Sequence, residues 1–194
     1  MIAAIVLAAG LSRRMGTPKL LLDLRGKPVI RHTLERLVAA DMDEILVVVG
    51  PQHDALERAL DGLRVRFVVN PTPEAGQGSS VSAGVHALSA DTTAALIALG
   101  DQPGIAVDVI RKLRDALPGK SIAAPRYSDG LGNPVIFATA VFPELAALSG
   151  DRGARAVVER DSSRLTVVEV ARPMPSDLDT PEDYERLSAP GNSR

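Results

Sequence analysis

The segment from Leu7 to Lys19 combines small residues, two glycines and positive charge, and it directly follows a short apolar run. It reads Leu-Ala-Ala-Gly-Leu-Ser-Arg-Arg-Met-Gly-Thr-Pro-Lys. Gly10 and Gly16 let the backbone turn tightly and approach a ligand, so that main-chain amides can face phosphate oxygens. Arg14 and Lys19 add fixed positive charge beside such a cradle. The segment therefore predicts a loop that binds a nucleoside triphosphate.

The spacing of this segment excludes two commoner nucleotide-binding loops. A Walker loop needs a lysine directly after its second glycine, whereas Thr17 and Pro18 separate Gly16 from Lys19. The dinucleotide pattern Gly-x-Gly-x-x-Gly is absent as well. The remaining alternative to a nucleotide loop is a strand-to-helix turn whose basic side chains are only solvated.

Asp101 comes directly after a second apolar run, Ala94 to Leu99. If that run is a parallel strand, the carboxylate lies at the carboxyl edge of the sheet, where ligands of open α/β sheets bind. Mg²⁺ prefers one or two carboxylates together with phosphate oxygens and water. Asp101 is therefore the first candidate for a magnesium ligand, and the alternative is an Asx turn before Pro103.

A second acidic pair, Asp177 and Asp179, flanks Leu178 near the end of the chain. The following Thr180 and Pro181 fit the cap and the first turn of a helix. Capping does not require two carboxylates upstream on the same side of an extended segment. Either carboxylate is therefore a candidate for completing the metal site, and the sequence leaves the choice between Asp177 and Asp179 open.

Two further groups of polar residues are predicted at the same edge. Gly78, Ser79 and Ser80 form a small-residue loop that leads into a helix and offers amides and hydroxyls to a base or ribose. The alternative role of these serines is an N-cap. Asn70 follows the predicted strand Arg64 to Val69, which brings it to the carboxyl edge as well.

A pair of arginines marks the start of another predicted helix. Arg152 and Arg155 are three residues apart, near one face, and Asp151 precedes them as a candidate cap. Guanidinium groups and a helix N-terminus together can hold an anion. The alternative is a capped and solvated helix start.

The elements that must position these residues alternate between strands and helices. Four short runs of branched residues predict buried parallel strands: Ile2 to Leu7, Glu44 to Val49, Arg64 to Val69 and Ala94 to Leu99. The segments between them have helical spacing, so the strands are joined by helical crossovers. The sequence predicts an α/β fold with a doubly wound, mostly parallel sheet.

The alternation continues after Pro103. Helices are predicted near Val107 to Leu117, Ala140 to Leu148 and Ala154 to Arg160, and strands near Ile122 to Ala124, Pro134 to Phe137 and Leu165 to Val170. We expect one domain over residues 1–187 and a small, polar, flexible tail over 188–194.

Composition restricts the class of protein. A chain of 194 residues with 45% hydrophobic content supports one domain with a full core, and the absence of cysteine removes disulfides, thiolate metal sites and cysteine nucleophiles. A net charge of −2 and a lack of tryptophan make nucleic acid an unexpected partner. No apolar stretch approaches the roughly 20 residues of a membrane span. Since no leader is apparent either, we expect a cytoplasmic protein.

Leu7 to Lys19 resembles the opening motif Leu-Ala-(Ala/Gly)-Gly-x-Ser-x-Arg-Met-Gly-x-x-Lys of a group of nucleotidyltransferases, with Arg14 as the motif arginine. Similar blocks recur along nearly the whole chain: Gly76 to Ser80, Leu99 to Pro103, Gly132 to Pro134, Gly150 to Arg155 and Asp177 to Asp183. The chain resembles the MobA-like nucleotidyltransferases, and within them most of all the molybdenum cofactor cytidylyltransferases. One departure is Gln77, where the family consensus has methionine.

The resemblance implies a Rossmann-like nucleotidyltransferase fold and Mg²⁺-dependent transfer of CMP from CTP to the phosphate of a molybdopterin-type cofactor, with release of pyrophosphate. It implies catalytic roles for Arg14, Lys19 and Asp101, and an acceptor-side role for Arg152 and Arg155. It further implies magnesium at Asp101 with Asp177 or Asp179. The nucleotide-binding residues would be Leu7, Ala8, Ala9, Gly10, Arg14, Lys19, Asn70, Gly78, Ser79, Ser80 and Asp101.

The choice of base and the partners also follow from the resemblance. Relatives that use GTP carry glycine where this chain has Ala9, so CTP is expected to be preferred. The expected partners are CTP and the molybdopterin-type cofactor, with transient contact to a molybdoenzyme or its maturation chaperone, and neither nucleic acid nor a membrane.

Three alternatives to this function stay open. The same fold could transfer GMP to the same cofactor, or CMP to another small phosphorylated molecule. The chain could also bind a nucleotide or cofactor as a non-catalytic chaperone. The presence of both Lys19 and Asp101 favours catalysis, because simple binding has less need of a metal-binding aspartate beside a lysine suited to a leaving group.

Overall fold

The computed structural model describes residues 1–10 and 15–189, and strands and helices alternate along them. The strands are β1 Ile2–Leu7, β2 Asp23–Leu24, β3 Lys27–Pro28, β4 Glu44–Val49, β5 Arg66–Val69, β6 Ala94–Leu99, β7 Ile122–Tyr127, β8 Gly130–Leu131, β9 Val135–Ala138 and β10 Leu165–Glu169. The α-helices are α1 Val29–Ala39, α2 Asp54–Ala59, α3 Gln77–His86, α4 Val107–Ala116, α5 Phe142–Ala146, α6 Arg155–Arg160 and α7 Pro181–Ser188.

The main sheet has the order β10-β7-β9-β6-β1-β4-β5, with β8 paired to β7. Strand β1 lies parallel to β4 on one side and to β6 on the other, whereas β9 runs antiparallel to both β6 and β7. Strands β4 and β5 therefore extend the sheet on one side of β1, and β6 extends it on the other side. The prediction of an α/β fold with a mostly parallel sheet is confirmed.

Helices cover both faces of the sheet because strand side chains alternate between the faces. On one face, residues of α1 and α4 such as Ile30 and Ile110 pack with Val6 of β1. On the other face, residues of α3, α5 and α6 such as Val81 pack with Ile5 of β1. Because β1 is buried on both faces, its sequence shows a continuous apolar run instead of alternation.

The end of the chain packs against a small second sheet. Strands β2 and β3 form an antiparallel pair, and Leu24 and Val29 from this region bury Leu178, which is 0% exposed. Full burial of a leucine stabilises the fold by about 1.5–3 kcal/mol. The Thr180 hydroxyl accepts from the Asp183 amide, and the Asp183 carboxylate accepts from the Thr180 amide, as a capping box. This region fixes the acidic segment that precedes α7.

Two predicted elements differ from those observed. The run Arg64 to Val69 was expected to be a buried strand, but β5 begins at Arg66 and is an edge strand whose ends are exposed, since only β4 pairs with it. The predicted helix Ala140 to Leu148 is a 3-10 turn, Thr139–Val141, followed by the five-residue α5, with Pro143 in its first turn. Pro143 lacks an amide hydrogen, which is tolerated only in the first turn of a helix.

Helix α7 is the last element in the described part of the chain. Helix α7 ends at Ser188, and the predicted tail 188–194 lies outside the described residues from position 190 onward. None of the helices in the described part of the chain combines the length and apolarity needed to cross a membrane.

Candidate active site

The loop after β1 lies between the ends of two neighbouring strands. The Ala8 amide donates to the Val48 carbonyl of β4 at 2.8 Å, and the Gly100 amide donates to the Leu7 carbonyl at 3.0 Å. These bonds place Ala8, Ala9 and Gly10 at the point where strand order reverses, the usual ligand-binding position in such sheets. Gly16 has a φ of +64°, so the predicted tight turn there does require glycine. Arg14 lies outside the described residues.

Lys19, Asp101 and Asp179 form the charged centre of this edge. The Lys19 Nζ atom lies 2.5 Å from Asp101 Oδ2 and 2.7 Å from Asp179 Oδ1. Lys19 begins a 3-10 turn after the loop, Asp101 follows β6, and Asp179 precedes α7. Residues 160 positions apart in the sequence therefore meet at one ammonium group.

The surroundings of Lys19 keep it charged. Its side chain is 14% exposed, and that of Asp101 is 19% exposed. Burial by itself lowers the pKa of Lys19, but the neighbouring carboxylates of Asp101 and Asp179 outweigh burial and raise this pKa above its usual range. The site therefore holds an ammonium ion against two carboxylates at neutral pH.

Asp177 and Asp179 make different contacts although they flank the same buried leucine. The Leu178 amide donates to the Asp101 carbonyl at 3.0 Å, which ties this segment to the end of β6. Asp179 contacts Lys19, whereas Asp177 Oδ1 accepts a 2.5 Å hydrogen bond from Gln102 Nε2. Partial loss of water raises the pKa of Asp177, the Gln102 bond opposes the rise, and the Asp101 and Asp179 charges add to it.

Asn70 is a buried hydrogen-bonding centre below the start of α3. Its Nδ2 donates to Ser79 Oγ at 2.8 Å and to Ser80 Oγ at 3.0 Å, and its Oδ1 accepts from the Thr72 amide at 3.0 Å. Asn70 is 1% exposed. The side-chain amide thus joins the end of β5 to the serines that open α3, and the predicted grouping of Asn70, Ser79 and Ser80 at one edge is what the structure shows.

The glycine-rich start of α3 packs directly on the Ser149 to Gly153 loop. The Gly78 amide donates to the Gly150 carbonyl at 2.7 Å, and the Gly150 amide donates to the Ala75 carbonyl at 3.1 Å. A Cβ atom at Gly78 would lie 2.7 Å from the Ser149 backbone. Gly78 therefore serves loop packing in addition to its predicted contact with a nucleotide, and the two loops form one hydrogen-bonded unit.

Arg152 and Arg155 lie on the surface beside this unit. Their side chains are 71% and 78% exposed, and both guanidinium groups pair with Glu159 of α6. The two arginines lower the pKa of Glu159 through hydrogen bonds and charge, the bond from Arg155 contributing most. The predicted proximity of the two arginines is thus observed, with a carboxylate as their present partner.

Two cavities share the Ala8–Gly10 loop as a wall. The inner cavity, about 190 Å³, reaches the charged centre. It is lined by Leu7, Ala8, Ala9, Gly10, Lys19, Leu20, Pro73, Gly76, Gln77, Ser80, Leu99 and Asp101. The outer cavity, about 640 Å³, extends from the same loop towards Gly50 and Pro71. The two cavities adjoin at this loop and together extend from Asp101 to residues that follow β4 and β5, and we refer to them as the cleft.

The donor set of the charged centre fits a divalent cation. Asp101 and Asp179 direct carboxylate oxygens at a single cationic atom, Lys19 Nζ. Mg²⁺ takes one or two carboxylates and completes its shell with phosphate oxygens and water. Within residues 1–10 and 15–189 no cluster of three or more histidine, cysteine or acidic side chains has the arrangement of a metal site.

A family model described as a MobA-like NTP transferase domain matches residues 4–165. The chain belongs to this family of nucleotidyltransferases, which confirms the resemblance seen in the motifs. Among curated relatives, the purine catabolism protein PucB of Bacillus subtilis (strain 168) is 33% identical, over 94% of each chain. The nicotine blue oxidoreductase of Paenarthrobacter nicotinovorans is 30% identical, over 96% of each chain.

Solved structures are also similar to this chain in fold and in sequence. Rv0371c from Mycobacterium tuberculosis H37Rv superimposes with a TM-score of 0.86 and 35% identity, over 96% of each chain. Its complex with manganese gives a TM-score of 0.85 and 32% identity, over 96% of this chain and 97% of that one.

Sequence reasoning missed Gln102 and Leu178 as parts of the site. Gln102 is 1% exposed and holds Asp177. Leu178 is the buried anchor that separates the environments of the two acids. A lone leucine between two aspartates was the available signal, because an apolar residue in a polar segment indicates local burial.

Proposed function

We propose that this nucleotidyltransferase transfers CMP from CTP to the phosphate of a molybdopterin-type cofactor and releases pyrophosphate. The observation that carries the proposal is the charged centre of Lys19, Asp101 and Asp179 at the end of a cleft whose wall is the Ala8–Gly10 loop. Membership of the MobA-like NTP transferase family supports nucleotidyl transfer, and the molybdopterin-type acceptor is proposed from the motif resemblance.

The loop after β1 would hold the triphosphate through its backbone. Apart from its chain neighbours, none of the described residues has an atom within 4 Å of a Cβ built on Gly10, so these residues leave room beside its backbone. We propose that a phosphate approaches the Gly10 backbone there. Lys19, at the inner end of the cleft, would neutralise the outer phosphates as they leave, and Arg14 is proposed for the same task.

Asp101 and Asp179 would hold the magnesium ion. When bound, Mg²⁺ supplies charge neutralisation and polarisation at the α-phosphate. Asp179 is preferred to Asp177 because it shares a cation with Asp101, whereas Asp177 is bonded to Gln102. We therefore assign Asp177 a positioning role.

The protein itself needs no nucleophile for this reaction. An oxygen of the acceptor phosphate attacks the α-phosphorus of CTP as the bond to the pyrophosphate oxygen breaks, and pyrophosphate leaves. Lys19 and the loop amides orient the triphosphate for in-line displacement and stabilise the charge that develops on the leaving group. Arg152 and Arg155 would exchange Glu159 for anionic groups of the acceptor.

The base is proposed to lie against Ala9, which is buried to 7% exposure. Its methyl group narrows the space beside the base, and a purine is crowded more than a pyrimidine. The Ser80 hydroxyl and the backbone of Ala8 and Gly10 offer hydrogen bonds to a cytosine amino group and carbonyl. Asn70 would act through Ser79 and Ser80 by fixing their hydroxyls.

Pyrophosphate release, measured over four triphosphates against a panel of phosphorylated acceptors, tests the proposal. We expect turnover with CTP and the molybdopterin-type cofactor, and none with CTP alone. Preference for GTP would indicate guanylyl transfer, and turnover with a different phosphorylated acceptor would indicate another cytidylyltransferase. Triphosphate binding without turnover for any pair would indicate a chaperone.

We place the reaction in the cytoplasm, where nucleoside triphosphates are available. The product would pass to a molybdoenzyme or its maturation chaperone by transient contact. Co-purification of the chain with either partner, dependent on prior turnover, checks this part.

A further inference from the structure

Gln102 is a buried polar side chain directly beside a proposed metal ligand. It follows Asp101 in the sequence and is 1% exposed. Its main chain is part of the turn after β6, since its amide donates to the Leu99 carbonyl and its carbonyl accepts from the Ile105 amide. Its Nε2 atom donates to Asp177 Oδ1 at 2.5 Å. Gln102 therefore connects the end of β6 to the acidic segment before α7.

Stability gives little reason for an amide at this position. The Oε1 atom of Gln102 is buried and has no hydrogen-bond partner among residues 1–10 and 15–189. A buried amide that is satisfied at only one end is unfavourable, whereas an apolar side chain of the same size carries no such cost. A role in a functional site is one explanation for such a group in a folded protein. The contact of Nε2 with the exposed Asp177 is the feature that indicates this role.

Two successive hydrogen bonds hold the segment 177–179 beside the end of β6. The Gln102 side chain donates to Asp177, and the Leu178 amide donates to the Asp101 carbonyl at 3.0 Å. Burial of the Leu178 side chain anchors the middle of the segment, and the Gln102 bond fixes its start. Since Asp179 lies two residues beyond Asp177, the direction of the segment affects where the Asp179 carboxylate lies relative to Asp101.

We propose that Gln102 is a positioning residue for the metal site. Its hydrogen bond to Asp177 holds the segment 177–179 so that the carboxylates of Asp101 and Asp179 fit one divalent cation. Loss of a group that orients metal ligands without touching the metal typically weakens metal binding by about 10- to 100-fold. The inference rests on the proposed function only in taking Asp101 and Asp179 as the ligands, and neither the base nor the acceptor enters it.

Mn²⁺ affinity is the quantity to measure, by electron paramagnetic resonance of the free ion, with a non-hydrolysable CTP analogue and, as a second arm, a GTP analogue. Gln102→Met keeps the size of the side chain and removes the donor, so Mn²⁺ should bind about tenfold more weakly. Its melting temperature should equal or exceed that of the wild type, because no half-satisfied amide is left buried. A merely structural role would lower the melting temperature instead.

The exposed end of the bond supplies a second variant. Asp177→Ala removes the acceptor at a position where substitution does not disturb the core, and it should weaken Mn²⁺ binding to the same extent as Gln102→Met. The double variant should be no weaker than either single variant, because all three lack the same bond. Asp108→Ala, which changes an aspartate paired on the surface with Arg172, is the matched control and should equal the wild type.

A conservative variant separates positioning from direct attraction of the metal. Asp177→Asn keeps an oxygen that accepts from Gln102, so it should retain most of the Mn²⁺ affinity that Asp177→Ala loses. Equal losses in Asp177→Asn and Asp177→Ala would overturn the proposal, because the charge of Asp177, and not its bond to Gln102, would then attract the metal.

Failure of this inference and failure of the metal assignment give different results. Wild-type Mn²⁺ affinity in a folded Gln102→Met protein, together with weakened binding by Asp101→Asn, would overturn the role of Gln102 alone. Wild-type Mn²⁺ affinity in Asp101→Asn would overturn the metal assignment of the proposed function and this inference with it. Because these assays contain no acceptor, an absence of cytidylyl transfer would leave their outcome unaffected.

Discussion

Two clusters of paired charge, one at the end of the cleft and one on the surface, differ in how far the protein shields them from water. In the charged centre, Lys19 and Asp101 are largely buried and come from distant parts of the chain. In the second cluster, Arg152 and Arg155 share Glu159 within one surface loop and helix. Lys19 and Asp101 in the first cluster are shielded from water, whereas the arginines of the second are exposed and can exchange partners with little loss.

The energetics of the two clusters follow from this difference. Removal of one member of a buried ion pair leaves an uncompensated charge and costs about 3–5 kcal/mol. Exposed pairs such as those of Glu159 contribute little to stability because water screens their charges. Chemistry that requires fixed positions suits the charged centre, and reversible capture of an anionic acceptor suits the arginines.

The largest expected effect is at Asp101. Asp101→Asn keeps the shape but removes the charge on which the proposed magnesium site depends, so turnover should fall by about 100-fold or more. Steady-state pyrophosphate release measures this, and added magnesium should not restore it. Asp108→Asn, which changes an aspartate paired on the surface with Arg172, is the control and should retain activity. Near-normal turnover by a folded Asp101→Asn protein would show that Asp101 serves only the turn and does not hold the metal.

Replacement of Lys19 should be the next most severe change. Lys19→Ala should weaken triphosphate binding and slow transfer by roughly 10- to 100-fold, since it removes the charge that we propose acts on the leaving pyrophosphate. Lys19→Arg should restore only part of the activity because a planar fork replaces a compact charge. Calorimetry with CTP and CMP provides the check. If the wild type bound both nucleotides equally, the outer phosphates would not be recognised by Lys19.

Replacement of the two arginines should change a different kinetic constant, the KM for the acceptor. The double variant Arg152→Gln, Arg155→Gln should raise KM for the acceptor by about tenfold while KM for the triphosphate stays constant. Arg160→Gln, an exposed arginine paired with Glu144, is the control. A rise in the KM for triphosphate instead would move these arginines to the nucleotide side and remove the contrast between the clusters.

A single methyl group should produce a smaller effect. Ala9→Gly widens the space beside the base, and one methyl group discriminates ligands by roughly 1–3 kcal/mol. The preference for CTP over GTP should therefore decrease without inverting. Competition assays with both triphosphates present test this, and an unchanged ratio would show that Ala9 does not border the base.

Tyr127 shows the effect of burial on an uncharged group. Its side chain is buried, and its hydroxyl donates a hydrogen bond to the Asn133 carbonyl at 2.9 Å. Burial is the main cause that raises the pKa of Tyr127 to about 12. Because the folded-state pKa exceeds that of the unfolded chain, the neutral phenol stabilises the fold fully below pH 10 and loses this contribution as pH rises from 10 towards 12. An absorbance titration of phenol ionisation should contain a late step that Tyr127→Phe removes, and a single step near pH 10 would contradict the assignment.

Much of the candidate site at the carboxyl edge of the sheet could be predicted, because strand ends and glycine spacing are local features of the sequence. The apolar runs located β1, β4 and β6 and hence the loop after β1 and Asp101. The edge position of β5 could not be predicted, since composition does not reveal which strand lacks a second neighbour. The different contacts of Asp177 and Asp179, with Gln102 and with Lys19, join distant segments of the chain and could not be predicted from spacing. The pairing of Arg152 and Arg155 with Glu159 could not be predicted, because sequence spacing does not determine where their side chains lie.

The most direct test of cytidylyl transfer uses CTP labelled at the α-phosphate, with the molybdopterin-type cofactor as acceptor and mass spectrometry of the product. Label should appear in a dinucleotide of cytidine and the cofactor, one for each pyrophosphate released, and Asp101→Asn should abolish both. Label that stays in CTP or appears only as free CMP, under conditions where the wild type binds CTP, would contradict transfer to this cofactor.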